Sequence, residues 1–274
     1  MTVAGLRGGP GRLCRWRRAG VAAAALVLAA VGASAGSLEA LPWHLVDYTY
    51  DFDPVGAFQS LDIDIDISGD TAPGHYLYVS PIWGKIGGAG FYFGLQTDVS
   101  GHGGGDRGAG VIFSRWGAAT TADARPAARG WAEALDDGHS GEGDFVGVRL
   151  PYAWGPGSYH FRLGTLAAAG GGCWVDLEVR KRGAGEAVDA GSLRFRSCDT
   201  FYPNPVSFIE IYALPPGTAP DRARLPHTAI RIHPPVVNGF RLPLRASPHI
   251  PRGVPPLAAM TRDSDGLRAV LSAD

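Results

Sequence analysis

The chain has 274 residues, 45% of them hydrophobic, with a formal net charge of −1. Five basic residues and no acid lie in the first 35, which leaves 20 basic against 26 acidic residues, or −6, in the rest. An acidic body excludes the broad basic footprint that holds nucleic acid or an anionic membrane surface, and directs expectation to a neutral partner.

Arg7, Arg12, Arg15, Arg17 and Arg18 precede the apolar run "AGVAAAALVLAAV", which ends at "ASA". Basic, apolar and then small residues predict an export signal cleaved after Ala35, with an uncleaved N-terminal anchor as the alternative. The predicted location is secreted or extracellular. Cys14 would leave with the signal, so Cys173 and Cys198 form an even pair in an exported chain and predict one disulfide.

Ten short alternating or apolar runs follow, at 45–52, 60–67, 75–83, 91–99, 110–116, 144–152, 158–166, 173–182, 192–198 and 206–212. Glycine clusters break them, and no helical period is sustained. The pattern predicts an all-β domain over 36–212: an antiparallel β-sandwich of jelly-roll or concanavalin type. After Tyr212 the texture changes, for residues 213–274 hold 11 of the 21 prolines and a charge of +4. This segment reads as a basic, Pro-rich tail, either a strap on the acidic body or a partly disordered extension. "HTAIRIH" and "GFRLPLRA" keep strand character, and "TRDSDGLRAVLSAD" suggests a last short helix.

The hairpin "GFYFGLQTDVSGHGGGDRGAGVIFSRWG" carries the most information. Strand alternation puts Phe91, Phe93 and Leu95 on one face with Val111 and Phe113. Tyr92, Gln96, Ser114 and Trp116 then share the other. Aromatic rings beside amides and hydroxyls suit a sugar, whose apolar ring face stacks while its hydroxyls pair; the alternative is a second packed layer over that face. Gly94 in mid-strand implies that something approaches closely there. Trp83 and Trp154 join Tyr92, Gln96 and Trp116 as candidate ligand-binding residues, with a neutral polysaccharide or glycoconjugate as the expected ligand.

Four stretches, "GFYFGLQ", "VIFSRW", "GEGDFVGVRLPYAWGPGSYHF" and "SFIEIY", occur in an order that resembles the secreted bacterial family named domain of unknown function 3472, over about residues 75–212. Two departures are the direct succession of Ser158 and Tyr159 on Gly157, and Gly117 where the family has an acid. The resemblance implies an extracellular β-sandwich and supplies no activity, so no catalytic residue follows from it.

Other candidates come from the residues themselves. Glu142 and Asp144 in "GEGD" are two of the oxygen ligands that Ca²⁺ would need, although a tight polar turn explains them as well. No other cofactor is indicated. The loop "GHGGGDRGAG" lies between strands and lacks a Lys-Ser/Thr ending, which excludes a phosphate cradle. The eight histidines form no HxH or HExxH arrangement, and no GxSxG elbow is present.

Asp62, Asp64 and Asp66 alternate with Leu61, Ile63, Ile65 and Ile67. Their spacing matches the E-x-D-x-E strand of sandwich glycosidases, but with the shorter Asp at both ends. Retaining hydrolysis needs carboxyls about 5–5.5 Å apart, whereas residues four apart on a strand start about 13 Å apart. Asp64, Asp66, Glu142 and Glu210 are therefore held only as candidates for a hydrolase or lyase alternative. A structural or adhesion domain that binds protein is a second alternative. The row of aspartates needs an offsetting charge, for which the basic tail is one source.

Overall fold

A computed structural model of the chain describes residues 43–99, 108–117, 120–135, 143–166, 172–202, 204–212, 225–242, 246–249 and 258–271. The cleavage expected after Ala35, and Glu142, lie outside the described residues.

In chain order the strands are β1 (Trp43–Tyr50), β2 (Ser60–Gly69), β3 (Leu77–Ile86), β4 (Ala89–Gln96), β5 (Gly110–Trp116), β6 (Ala124–Pro126), β7 (Trp131–Leu135), β8 (Phe145–Pro151) and β9 (Gly157–Leu166). Then come β10 (Cys173–Lys181), β11 (Val188–Phe195), β12 (Val206–Ile211), β13 (Thr228–Ile232), β14 (Val236–Val237), β15 (Phe240–Arg241), β16 (Ala246–His249), β17 (Ala258–Asp263) and β18 (Gly266–Leu271). Sheet A has the order β16-β1-β12-β3-β4-β5-β8-β7, and sheet B the order β17-β18-β13-β2-β9-β10-β11-β6, with the β14–β15 hairpin attached to β2.

Alternation drives the two sheets together. On β4 and β5, Phe91, Phe93, Leu95, Val111 and Phe113 are fully buried; on β2 and β9 so are Leu61, Ile65, Tyr159, Phe161 and Leu163. Ring contacts cross the interface between the sheets, with Phe93 5.6 Å from Phe161 and Phe91 6.2 Å from Phe195. The fold is thus the antiparallel all-β sandwich that the pattern predicts.

The proline-rich segment is built into this sandwich. β13 pairs with β2 from Thr228↔Gly69 to Ile232↔Ile65, and β16 pairs with β1. The turn Asn238-Gly239 takes the left-handed backbone of a tight hairpin (φ 51° and 82°). Asn238 also pins that hairpin to the body: its Oδ1 accepts the N–H groups of Gln59 (2.8 Å) and Ser60 (3.1 Å), and its Nδ2 donates to the Ala57 carbonyl (2.8 Å). The helix suggested for the last stretch is corrected to the hairpin β17–β18. Its period is two, since Leu267, Ala269 and Leu271 are buried, and Asp263 closes the turn by accepting the Asp265 N–H at 2.9 Å.

Cys173 and Cys198 are bonded, with Cα atoms 6.0 Å apart. β10 pairs with β11 in the register Cys173↔Phe195 and Val175↔Leu193, so Cys198 lies beyond the paired region and the bridge needs no agreement of strand faces. That register sets no acid opposite a base on these two strands. Asp176 stands opposite Ser192, and Glu178 opposite Asp189 past a bulge, while Arg194 stands opposite Trp174. Burial lifts Asp176 to about 6; the hydrogen bond from Ser192 opposes this, and Asp189 and Glu178 add to it.

Gly94 does make room for a close neighbour, but the neighbour is strand β3. A Cβ there would lie 2.0 Å from the Val79 carbonyl oxygen and 3.0 Å from Pro81, where β3 bulges between Val79 and Ile82.

Candidate ligand-binding face

The outer face of sheet A gathers side chains from seven strands. Register places Tyr92 between Trp83 and Ser114, and Gln96 between Tyr78 and Gly110. The next strands add Phe208 and Glu210 from β12, His44 from β1, Arg149 from β8 and Glu133 from β7.

Six rings form a continuous strip across the strands. His44 stacks on Phe208 (4.5 Å, 4°), which meets Tyr78 edge-on (5.4 Å); Tyr78 meets Tyr92 (5.9 Å), Tyr92 meets Trp116 (4.8 Å), and Trp116 meets Trp83 (6.2 Å). Tyr78 and Phe208 are buried in the sheet surface, whereas Trp83, Tyr92 and Trp116 are half-exposed. With strands about 4.8 Å apart, the strip from β1 to β5 spans roughly 19 Å. Gln96 carries a half-exposed amide at its flank that makes no hydrogen bond among the described residues.

Beside the rings lies an ordered polar group. Arg149 is 6% exposed; its Nη2 meets Glu133 Oε1 at 2.5 Å, and its Nη1 donates to Ser114 Oγ at 2.8 Å. Gly147 makes this possible, since a Cβ there would lie 2.5 Å from Arg149 Nη1 and 2.7 Å from Ser114 Oγ. At the far end His44 bridges two carboxylates, with Nδ1 2.7 Å from Asp47 and Nε2 3.2 Å from Glu210. Burial opposes its protonation, but the hydrogen bonds and charges of Asp47 and Glu210 outweigh this and lift its pKa to about 9. A raised histidine pKa gives stability that is full below about 6.5 and is lost as pH rises through about 9. The His44 side chain is 35% exposed, and solvent screening reduces the effect to about 1 kcal/mol. Urea unfolding at pH 6 and pH 10 should show a loss of that size in the wild type, absent from His44→Gln; equal losses in both would contradict it.

The structure distributes the other candidates elsewhere. Trp154 leaves the list of ligand-binding residues: it is 8% exposed, packs in the inter-sheet core, and donates its indole N–H to the Gln96 carbonyl at 2.8 Å. Asp64 and Asp66 lie on the outer face of sheet B and Glu210 on that of sheet A. The core between the two sheets prevents them from acting as a catalytic pair. Asp144 is exposed and bonds to Gly117 through its backbone carbonyl (2.9 Å). Among the described residues no three His, Cys, Asp or Glu side chains gather as a metal would require.

The aspartate row is offset from both sides. His160 on β9 lies 3.3 Å from Asp62 and 2.9 Å from Asp64, and Arg182 reaches Asp64 at 2.7 Å. Burial raises the Asp64 pKa, but His160 and Arg182 outweigh it and hold the group at about 2. Asp66 takes its partner from the tail, with His233 Nε2 at 2.7 Å, and Arg231 stands opposite it. Replacing all three aspartates with asparagine should therefore raise the protease sensitivity of residues 213–274. An unchanged limited-digestion pattern would mean that the backbone ladder alone holds the segment.

Phe208 and Glu210 were within reach of sequence reasoning, because the alternation of "VSFIEI" puts them on the face opposite Ile209. Arg149 and Glu133 had no comparable signal; only Gly147, two residues before the arginine, marks the space it fills.

No family model matches the chain, and no curated protein matches it. Among solved structures it is similar to two crystal structures of scytalido-glutamic peptidase with transition-state analogs. Each shows 10% identity, covering 84% of this chain and 100% of that one, with TM-scores of 0.46 and 0.44. A third is SCP-B, a member of the eqolisin family of peptidases, in complex with the tripeptide Ala-Ile-His, at 9% identity, the same coverage and a TM-score of 0.41. Likeness at this level leaves the function to be read from the chain's own residues.

Proposed function

We propose that this chain is an exported, non-catalytic β-sandwich that binds a polysaccharide or glycoconjugate on the outer face of sheet A. The observation that carries this reading is the ring strip itself, in which Trp83, Tyr92 and Trp116 are half-exposed and held by contact with one another. Rings fixed in this way stack on a sugar at little entropic cost, and Gln96 supplies an amide to a hydroxyl. The disulfide and the basic-apolar-small N-terminal segment support a secreted location.

Affinity electrophoresis through a panel of glycans tests the reading. Retardation is expected in at least one of them, and Trp116→Ala should weaken it roughly ten- to a hundred-fold through lost stacking and apolar contact. No retardation in any glycan, with or without Ca²⁺, would rule the reading out. Retardation untouched by Trp116→Ala would move the site elsewhere.

A further inference from the structure

Beyond the end of the ring strip the surface opens into a cavity of about 450 Å³. Its walls are Arg115, Trp116 and Arg196, and its floor is the glycine-rich turn that joins β3 to β4. Gly90 keeps that floor bare beneath the tryptophan, since a Cβ there would lie 3.0 Å from the indole ring. Trp116 thus belongs both to the strip and to this cavity.

The chain is acidic overall, yet the cavity is basic. Arg115 sits in the inward row of β5 and is 3% exposed although it carries a charge. Its Nη1 donates to the Trp116 carbonyl (3.3 Å) and its Nη2 to Asp123 Oδ2 (3.1 Å), while its Nε has no hydrogen-bond partner among the described residues. The same aspartate is shared with Arg194 at 3.9 Å. Arg196 is exposed and has no carboxylate partner among the described residues. Lys85 stands opposite Gly90, and Asp144 is bonded through its carbonyl to Gly117. Burial lowers the Arg115 pKa and Asp123 raises it, while the like charges of Arg196 and Arg194 lower it further. Guanidiniums crowded in this way around an open space are offset most directly by an anion placed between them.

We infer that this cavity is a subsite for an acidic sugar residue, with Arg196 binding its carboxylate or sulfate, the Arg115 charge adding to the attraction, and Trp116 covering the sugar ring. The inference rests on the glycan-binding reading and sharpens it, because the ligand then carries at least one negative charge despite the acidity of the chain. A guanidinium fork bonded to an oxyanion accounts for roughly ten- to a hundred-fold in affinity.

Two pairs of polymers provide the test, each pair sharing a backbone and differing in its anionic groups: polygalacturonate against its methyl ester, and dextran sulfate against dextran. The wild type should retain the charged member of one pair roughly ten-fold or more tightly than the neutral member, and which pair shows this distinguishes carboxylate from sulfate. Arg196→Gln, at an exposed position, should remove that preference and leave retention of the neutral member unchanged. Equal retention of charged and neutral members overturns the subsite while leaving the glycan reading intact. Titration with inorganic sulfate and with free galacturonate, followed by NMR of arginine side chains, probes the cavity without any polymer. Shifts present in the wild type and lost in Arg196→Gln support the subsite even if no polymer is retained; their absence for both anions overturns it.

Discussion

Replacing Cys173 and Cys198 together with serine should lower the unfolding free energy by about 3 kcal/mol, the chain-entropy value for a loop of this length. The bridge closes a separation of 25 residues and lies just past the β10–β11 pairing. The segment it fixes is a junction: Phe58 N–H donates to the Cys198 carbonyl (2.7 Å), Gly87 N–H to that of Thr200 (2.9 Å), and Val55 N–H to that of Phe201 (3.1 Å). Gly87 belongs to the turn that floors the basic cavity, so the bridge anchors that turn as well. For a domain of this size the loss corresponds to a fall in Tm of roughly 6–12 °C. Urea unfolding of the wild type with and without reductant should show the same difference, and coincident curves would refute it.

The second large effect is expected at Asp98, which is 1% exposed in the segment following β4. Its carboxylate accepts the N–H groups of Gly74 (2.6 Å) and Tyr76 (2.9 Å) and the Thr97 hydroxyl (2.5 Å). Tyr76 has a left-handed backbone (φ 52°), a conformation costly for a bulky side chain, and the carboxylate holds it there. The Tyr212 hydroxyl donates to the Asp98 carbonyl, and the Tyr212 ring meets Tyr76 edge-on at 5.7 Å. Asp98→Ala would remove the acceptor of the Gly74 and Tyr76 N–H groups and the Thr97 hydroxyl, at a cost of about 2–4 kcal/mol. Asp98→Asn retains an acceptor and should cost less. Denaturant titration orders the two variants, while near-UV circular dichroism reports the tyrosine pair; equal stability in wild type and Asp98→Ala would contradict the assignment.

Faces were legible in the sequence wherever alternation was strict. Phe91, Phe93 and Leu95 against Tyr92 and Gln96 needed only the pleat, and the isoleucines of β2 fixed its register in the same way. β6 and β7 escaped because one contains a proline and the other, "WAEAL", is built largely of helix-forming residues; pairing with β11 and with β8 decides both. Trp154 escaped for a different reason. It lies in the irregular stretch between β8 and β9, where no period says which way a side chain points. Arg115 is the sharpest case. It occupies an inward position of β5, which alternation assigns to the core, and a nearby carboxylate, a backbone carbonyl and the Phe195 ring (5.5 Å) make that position tenable. Of these partners only the Trp116 carbonyl is adjacent in the chain; Asp123 and Phe195 are brought in by the fold.

The order of strands in sheet B has a consequence for how the protein is made. β2 is synthesised well before one of its flanking strands, since the contact between Asp66 and His233 spans 167 residues. At about 5–20 residues per second, translation takes roughly 8–33 s to deliver that partner. Until then one edge of an isoleucine-rich strand has no neighbour, and such edges recruit other chains. Its outward row of Asp62, Asp64 and Asp66 gives every nascent copy the same sign of charge along that strand, so two copies repel each other before either can pair. A refolding yield that falls steeply with protein concentration once these charges are neutralised would reveal this protection.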